Sequence, residues 1–359
     1  MKTAKKKQIA PPLKAPLDGV RCSVRFPEHG FILQLEPTGA PESIARWVQR
    51  HEKFIGDATL EYGGILFHGF DLDVASFRRL VGLLSDEIRF EYIGGTGPRE
   101  RYSDDVYVST YAPPGAKLAQ HHEMAYMPSW PMKVFFYCDL APRKDGETLL
   151  CSSRSFQRSL DPSILERFHD REVLYIRNYD PPTDLKSAIV SGWQLSFNTS
   201  DKGKVSEICR NLGLEAEWRG ERLRTRNIAQ GAAHHPITGE LLLHNQSYLR
   251  TMASDVRGAM TPAVRLFEPG LSREQMNAIL TLAPDEQSTN AFYGDDGALI
   301  EQSILEEIHG AFEANTVKFP WQKGDFVMLD NMLSYHGRNS FEGERRILTV
   351  LKERHGRSG

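Results

Sequence analysis

Apolar positions along this chain come in two rhythms. Between Val24 and Leu35 they form short runs suited to strands, and then Ile44, Trp47, Val48 and His51 fall on one helical face. Gly64 to His68 reads as a further strand, and Phe77, Leu80, Val81 and Leu84 mark the inner side of a helix. That alternation predicts a helical layer beginning to cover a sheet. A short strand is expected at Val106 to Thr110, within a Gly-, Arg- and Tyr-rich stretch from Glu91 to Pro114 of the kind that carries function on loops. Lys133 to Leu140 and Thr148 to Ser152 read as two more strands, split by the turn signal Pro142-Arg143-Lys144-Asp145-Gly146. The long middle, Ser155 to Ala314, predicts helices near Pro162 to Arg167, Lys204 to Leu212 and Ser303 to Ala314, and strands near Val173 to Arg177 and Leu241 to Leu243. Gly324-Asp325 then turns the chain into Phe326 to Leu329, and Arg346 to Leu351 reads as a closing strand. Periodicity alone says mixed α and β with many strands.

Composition narrows the function. With 40% hydrophobic and 25% charged residues the chain is that of an ordinary globular protein. Lys+Arg 44 against Asp+Glu 47 leaves a formal charge of -3, so no basic field draws it to nucleic acid or to an anionic membrane. Cys22, Cys138, Cys151 and Cys209 are scattered without a Cys-x-x-Cys pair, which argues for reduced thiols and a cytoplasmic location. Met1 to Lys7 carries four lysines followed by Gln8-Ile9-Ala10-Pro11-Pro12, where a signal peptide would need an apolar run. Residues 1–20 are therefore expected to be a disordered tail and residues 21–359 a single domain. No run approaches the roughly 18 apolar residues of a membrane span.

The chemistry concentrates in two distant segments, Gln120-His121-His122-Glu123-Met124 and Asp330-Asn331-Met332-Leu333-Ser334-Tyr335-His336-Gly337-Arg338, the second followed by Arg345-Arg346. In a strand, residues two apart project to one side, so His121 and Glu123 can point at one ion while His122 faces away. Two His and one carboxylate, with other positions left open, form the ligand set of non-haem Fe(II) oxygenases. Taken alone, His-x-Glu fits a polar surface strand better, and a lone His before Gly is more often structural. The trailing guanidinium changes the balance, because a fixed Arg near iron can grip the remote carboxylate of 2-oxoglutarate in a bidentate fork.

These residues carry a family likeness. Val106 to Ser153, with His121-His122-Glu123-Met124-Ala125-Tyr126, Trp130-Pro131, Phe135-Phe136 and Gly146-Glu147-Thr148, resembles the TauD/TfdA superfamily. So does Gly324 to Leu351, with His336-Gly337-Arg338, Phe341-Glu342-Gly343 and Arg345-Arg346-Ile347. Within that superfamily the chain is most similar to the SyrP-like branch, whose members resemble amino-acid hydroxylases of natural-product pathways. The resemblance implies an α+β, mainly β, fold: a double-stranded β-helix (jelly roll, cupin-like) with flanking helices, in which residues 155–315 form an insertion supplying a lid and substrate-pocket elements. It makes His121, Glu123 and His336 the iron ligands, and Arg346 and Thr148 the partners of the 2-oxoglutarate carboxylate. Arg345, its strand neighbour, would face the other side. Asn245 and Gln246 become substrate-pocket candidates, with the bracing of a loop as the equal alternative. Arg99, Arg101 and Tyr102 precede the ligand strand, where a solvated loop is the favoured reading; Arg101 and Tyr102 are kept as substrate candidates. Phe292 and Tyr293 could line a lid, although core packing is the plainer reading.

Two departures bear on the substrate. Val350 stands where taurine-type members carry a sulfonate-binding Arg, which disfavours taurine, and the presence of Glu123 favours hydroxylation over chlorination. The expectation is an Fe(II)-, 2-oxoglutarate- and O2-dependent oxygenase that hydroxylates an unactivated C–H bond of an amino acid or an amino-acid-derived substrate, free or presented by a carrier protein. A desaturase or cyclase, a protein side-chain hydroxylase and a non-catalytic cupin-like binding protein are the alternatives.

Overall fold

The structure is a computed structural model that describes residues 16–39, 43–86, 92–94, 99–103, 105–109, 114–179, 192–250, 282–287 and 289–356. Its centre is the antiparallel pair Ser129–Leu140 and Arg346–Gly356. The first reads as an almost unbroken apolar run because both of its faces are covered. Val134, Phe136 and Cys138 point into one core, while Phe135 and Tyr137 point into a second. The closing strand divides in the same way, with Ile347 and Leu351 on the inner side and Leu348 and Val350 on the outer.

Eight strands make up the main sheet, in the order Val20–Phe26, Phe31–Pro37, Gly64–Phe67, Phe326–Asp330, Ser129–Leu140, Arg346–Gly356, Val106–Val108 and Arg101–Ser103. All its neighbours run antiparallel except Phe31–Pro37 with Gly64–Phe67. Helices Ile44–Arg50, Glu52–Tyr62 and Val74–Leu84 cover its outer face. The last starts at Asp73, whose carboxylate accepts from Ser76 N at 2.7 Å, and buries Phe77 flat against Tyr137 with ring centroids 5.2 Å apart. Val20 is already buried in the first strand, so order begins before position 21; residues 1–15 of the expected tail lie outside the described residues.

A smaller antiparallel sheet, Thr316–Phe319, Thr148–Ser152, Ser334–Arg338 and Leu118–His121, faces the main one across the inner core. From Phe326 onward the chain passes main, small, main, which is the jelly-roll pattern, and helices flank the two sheets. The long middle adds a third sheet, Glu215–Arg219, Arg222–Ala229, Val173–Tyr179 and Thr289–Tyr293, together with helices Pro162–Arg171, Lys202–Asn211 and Gln302–Asn315. Phe292 and Tyr293 are buried in that sheet, as core packing requires. Residues 180–191 and 251–281 of the expected lid lie outside the described residues. Among the described residues no helix is long and apolar enough to cross a membrane.

Candidate metal centre

Strand pairing brings the two ends of the sequence together at one point. His336 is the direct cross-strand partner of both His121 and Leu150, and Arg338 is the partner of Thr148. Cross-strand partners share a face, so the inner face of the small sheet carries His121, His336, Thr148 and Arg338. Gly337 lies between the two inward residues of its strand. A Cβ there would stand 2.5 Å from the Leu118 carbonyl oxygen, so the close approach of the His121 strand requires glycine.

Glu123 departs from the sequence expectation in one respect. The strand ends at His121, and Glu123 opens a tight turn in which Met124 holds a left-handed φ of 59°. A buried non-glycine residue in that region is strained and persists only where its surroundings impose it. The imposing group is Asn331, whose side-chain oxygen accepts from Glu123 N at 2.7 Å while its amide donates to the Glu123 and Pro131 carbonyls at 2.9 and 2.8 Å. Gln246 adds a 2.6 Å bond to the His122 carbonyl, and Asn227 and Gln230 donate to the Tyr126 and Ala125 carbonyls. Asn331 is invisible to motif reading because its partners are backbone atoms 200 and 208 positions away.

His121, Glu123 and His336 offer ligand atoms that all lie within 4.8 Å of one another. Nδ1 of His121 sits 2.9 Å from the Ala119 carbonyl, which can only accept, so that nitrogen carries the proton and Nε2 presents its lone pair. Burial, reinforced by His336, pushes the His121 pKa down to about 4, so the ring is neutral at pH 7. Burial alone would raise Glu123. The Arg99 guanidinium, donating to Oε2 at 2.7 Å, and a contact with His336 outweigh it and hold the carboxyl well below its ordinary range. His336 Nε2 is 3.6 Å from the same Oε2, and its Nδ1 is buried with no hydrogen-bond partner among the described residues. Two imidazoles and one ionised carboxylate, converging on one point, are the donor set a divalent transition metal takes.

The guanidinium beside this centre is not the one expected. Arg346 lies on the outer face of the closing strand, with its side chain 48% exposed, ion-paired to Asp139 and set over the Tyr102 ring. The register explains it: Arg346 pairs with Leu140 and Ile347 with Cys138, which leaves Asp139 as the bulged residue. Because Ile347 points inward, the inward Arg is Arg345. Its Nε donates to the Gly146 carbonyl at 3.1 Å, its guanidinium lies over the Phe341 ring beside that of Arg338, and among the described residues no carboxylate is paired with it. Burial, then the charge of Arg338, lowers the Arg345 pKa to about 9, and burial lowers Arg338 to about 10. Arg338 donates to the Ala116 carbonyl at 2.5 Å, and Thr148 Oγ1 accepts from Trp321 at 2.8 Å. Buried Arg338 and half-buried Arg345, side by side over one ring, fit an anionic ligand.

The four substrate candidates are not gathered at the centre. Tyr102 is 44% exposed, and Arg101 is exposed over Tyr107, both on the main-sheet edge beside Arg346. Asn245 is fully buried, bonded to the Gly231 carbonyl and to Ser247, and Gln246 braces the ligand turn, so the bracing alternative describes both.

Comparison with known proteins agrees with this geometry. The model of the "Taurine catabolism dioxygenase TauD, TfdA family" matches residues 33–351. The dapdiamide synthesis protein DdaC of Enterobacter agglomerans is 29% identical over 314 residues, covering 86% of this chain and 87% of that protein. The clavaminate synthase-like protein At3g21360 of Arabidopsis thaliana is 27% identical over 314 residues, covering 85% of this chain and 86% of that one. A solved structure of PvcB, described as an Fe, alpha-ketoglutarate dependent oxygenase from an isonitrile synthetic pathway, shares the fold at a TM-score of 0.53 and 15% identity, covering 95% of this chain and 94% of that chain. On the match across 33–351, this chain belongs to the TauD, TfdA family of dioxygenases.

Proposed function

We propose that the protein is an Fe(II)- and 2-oxoglutarate-dependent hydroxylase of an amino acid or amino-acid-derived substrate in natural-product biosynthesis. The observation that carries the reading is that two of the ligands, His121 and His336, share one face of the small sheet with the counter-cation Arg338. His336 and Arg338 are two residues apart on one strand, and a two-residue step spans roughly 6.5–7 Å, about the reach of a five-carbon diacid. His121, Glu123 and His336 hold the iron. Arg345, with Thr148 and Arg338 beside it, takes the far carboxylate of 2-oxoglutarate. Relatives in dapdiamide synthesis and in an isonitrile pathway support the biosynthetic setting.

When bound, iron with 2-oxoglutarate and O2 supplies an oxidant strong enough for an unactivated C–H bond, with release of succinate and CO2. The chain's own residues do the rest. Asn331 and Gln246 hold the ligand turn, His121 keeps Nε2 unprotonated through its bond to Ala119, and the Val173–Tyr179 sheet packs over the turn to exclude water.

Anaerobic titration with Fe(II) and then 2-oxoglutarate tests this. The expected result is a weak visible metal-to-ligand charge-transfer band that saturates at one equivalent of each, followed by one succinate per turnover and a product heavier by one oxygen. No band overturns the reading, and a product lighter by two hydrogens replaces hydroxylation by desaturation.

A further inference from the structure

Arg99, expected on a solvated loop, is instead buried against the metal centre. Its side chain is 10% exposed, one arm (Nη2) donates to Glu123 Oε2 at 2.7 Å, and its guanidinium carbon lies 4.2 Å over the Tyr92 ring. The other arm, Nη1, is buried with no hydrogen-bond partner among the described residues. Its platform is anchored, because Gly94 N donates to the Ser196 carbonyl at 2.9 Å and Arg177 donates to the Gly94 carbonyl. Stacking on the ring leaves the guanidinium plane set and one edge vacant of acceptors.

Charge makes that edge informative. Without metal, Arg99 and Glu123 neutralise one another. A divalent cation that takes over the charge of Glu123 leaves a buried guanidinium under-compensated, which is costly in a low-dielectric site. A carboxylate on the free edge satisfies both the charge and the orphaned N–H, since its two oxygens match the fork. We infer that Arg99 receives a free carboxylate of the primary substrate beside the metal centre. The inference rests on the reading of the centre as an iron and 2-oxoglutarate site, and it assigns a free acid, not a carrier-bound thioester, to the substrate end nearest the metal.

The test uses the charge-transfer band of the anaerobic Fe(II)–2-oxoglutarate protein, titrated with each of the proteinogenic L-amino acids and with the carboxamide of each. At least one acid is expected to shift the wild-type band while its carboxamide does not. Arg99→Gln, read at saturating Fe(II) and 2-oxoglutarate, should weaken that acid at least roughly tenfold, as loss of a charged hydrogen bond implies; Arg99→Lys should regain part of the affinity. A carboxamide that binds as well as its acid, an acid that binds Arg99→Gln unchanged, or no acid shifting the wild-type band would each overturn the inference. Loss of the band in Arg99→Gln would also overturn it, making Arg99 a prop for Glu123 or a partner of 2-oxoglutarate. No band in wild type would sink the iron reading itself and take this inference with it.

Discussion

The two faces of the small sheet use the same residue types for opposite ends. On the inner face His121 and His336 converge with Glu123 and offer ring nitrogens toward one point. On the other face His122 stacks on Tyr335 at 3.6 Å, bonds Ser153 at 3.0 Å and meets His244 nitrogen to nitrogen at 3.1 Å. All of these rings are buried or nearly so, yet only the inner pair faces a carboxylate. The adjacent arginines repeat the lesson, with Arg345 turned inward beside Arg338 and Arg346 outward to Asp139. Side-chain chemistry sets what a position can do, and the face it occupies sets whether it does it.

The sharpest way to break this comparison is to exchange the histidines' fates. His336→Ala should weaken Fe(II) binding by at least roughly a hundredfold, more than loss of an outer partner would. His122→Ala should cost on the order of 2–3 kcal/mol of stability while keeping metal affinity within roughly tenfold. Calorimetric metal titration with matched thermal melts reads both, and equal metal loss in the two variants would erase the distinction between faces.

Next in size is the arginine pair. Arg345→Ala should raise the 2-oxoglutarate dissociation constant roughly ten- to a hundredfold, the value of a charged hydrogen bond at about 1.5–3 kcal/mol, while Arg346→Ala changes it less than about twofold. The reverse order would restore Arg346 to the role the family likeness gave it.

The smallest effect is acid sensitivity. Burial, followed by the charge of His355, pushes His244 down to about 3, and burial with His244 pushes His122 well below its ordinary value. Their folded values lie below the unfolded value near 6.5, so the unfolded chain binds more protons as pH falls. Stability is therefore full above about 6.5 and lost progressively from there toward the folded value, about 3 for His244, by roughly 1 kcal/mol per imidazole over the first pH unit. A melting temperature flat between pH 7 and 4.5 would show that these rings are not held neutral.

Much of the strand pattern was legible because alternation within a strand is local. Lys133 to Leu140 and Thr148 to Ser152 were readable as strands, and the helix inner faces followed from the period of 3.6. The metal triad was legible as well, because its residue types are rare in combination. Which arginine faces inward was not: Arg345 and Arg346 are chemically identical, and the choice depends on the strand's facing and on a bulge at Asp139 in a partner strand far away in sequence. Arg99 was misjudged for a similar reason, since neither Tyr92 beneath it nor Glu123 beside it can be read from a charged loop.

By itself, then, the sequence determined many of the elements and which residues could hold a metal, because these follow from local periodicity and residue chemistry, and its motifs carried the resemblance to the family. Only the tertiary structure decided that His336 pairs with His121, that Asn331 clamps Glu123, and that Arg345 and Arg99 are the inward guanidinia. Each of those depends on strand register and on contacts between distant segments, and a one-residue change of facing, which no local pattern marks, moves a side chain from the site to the surface.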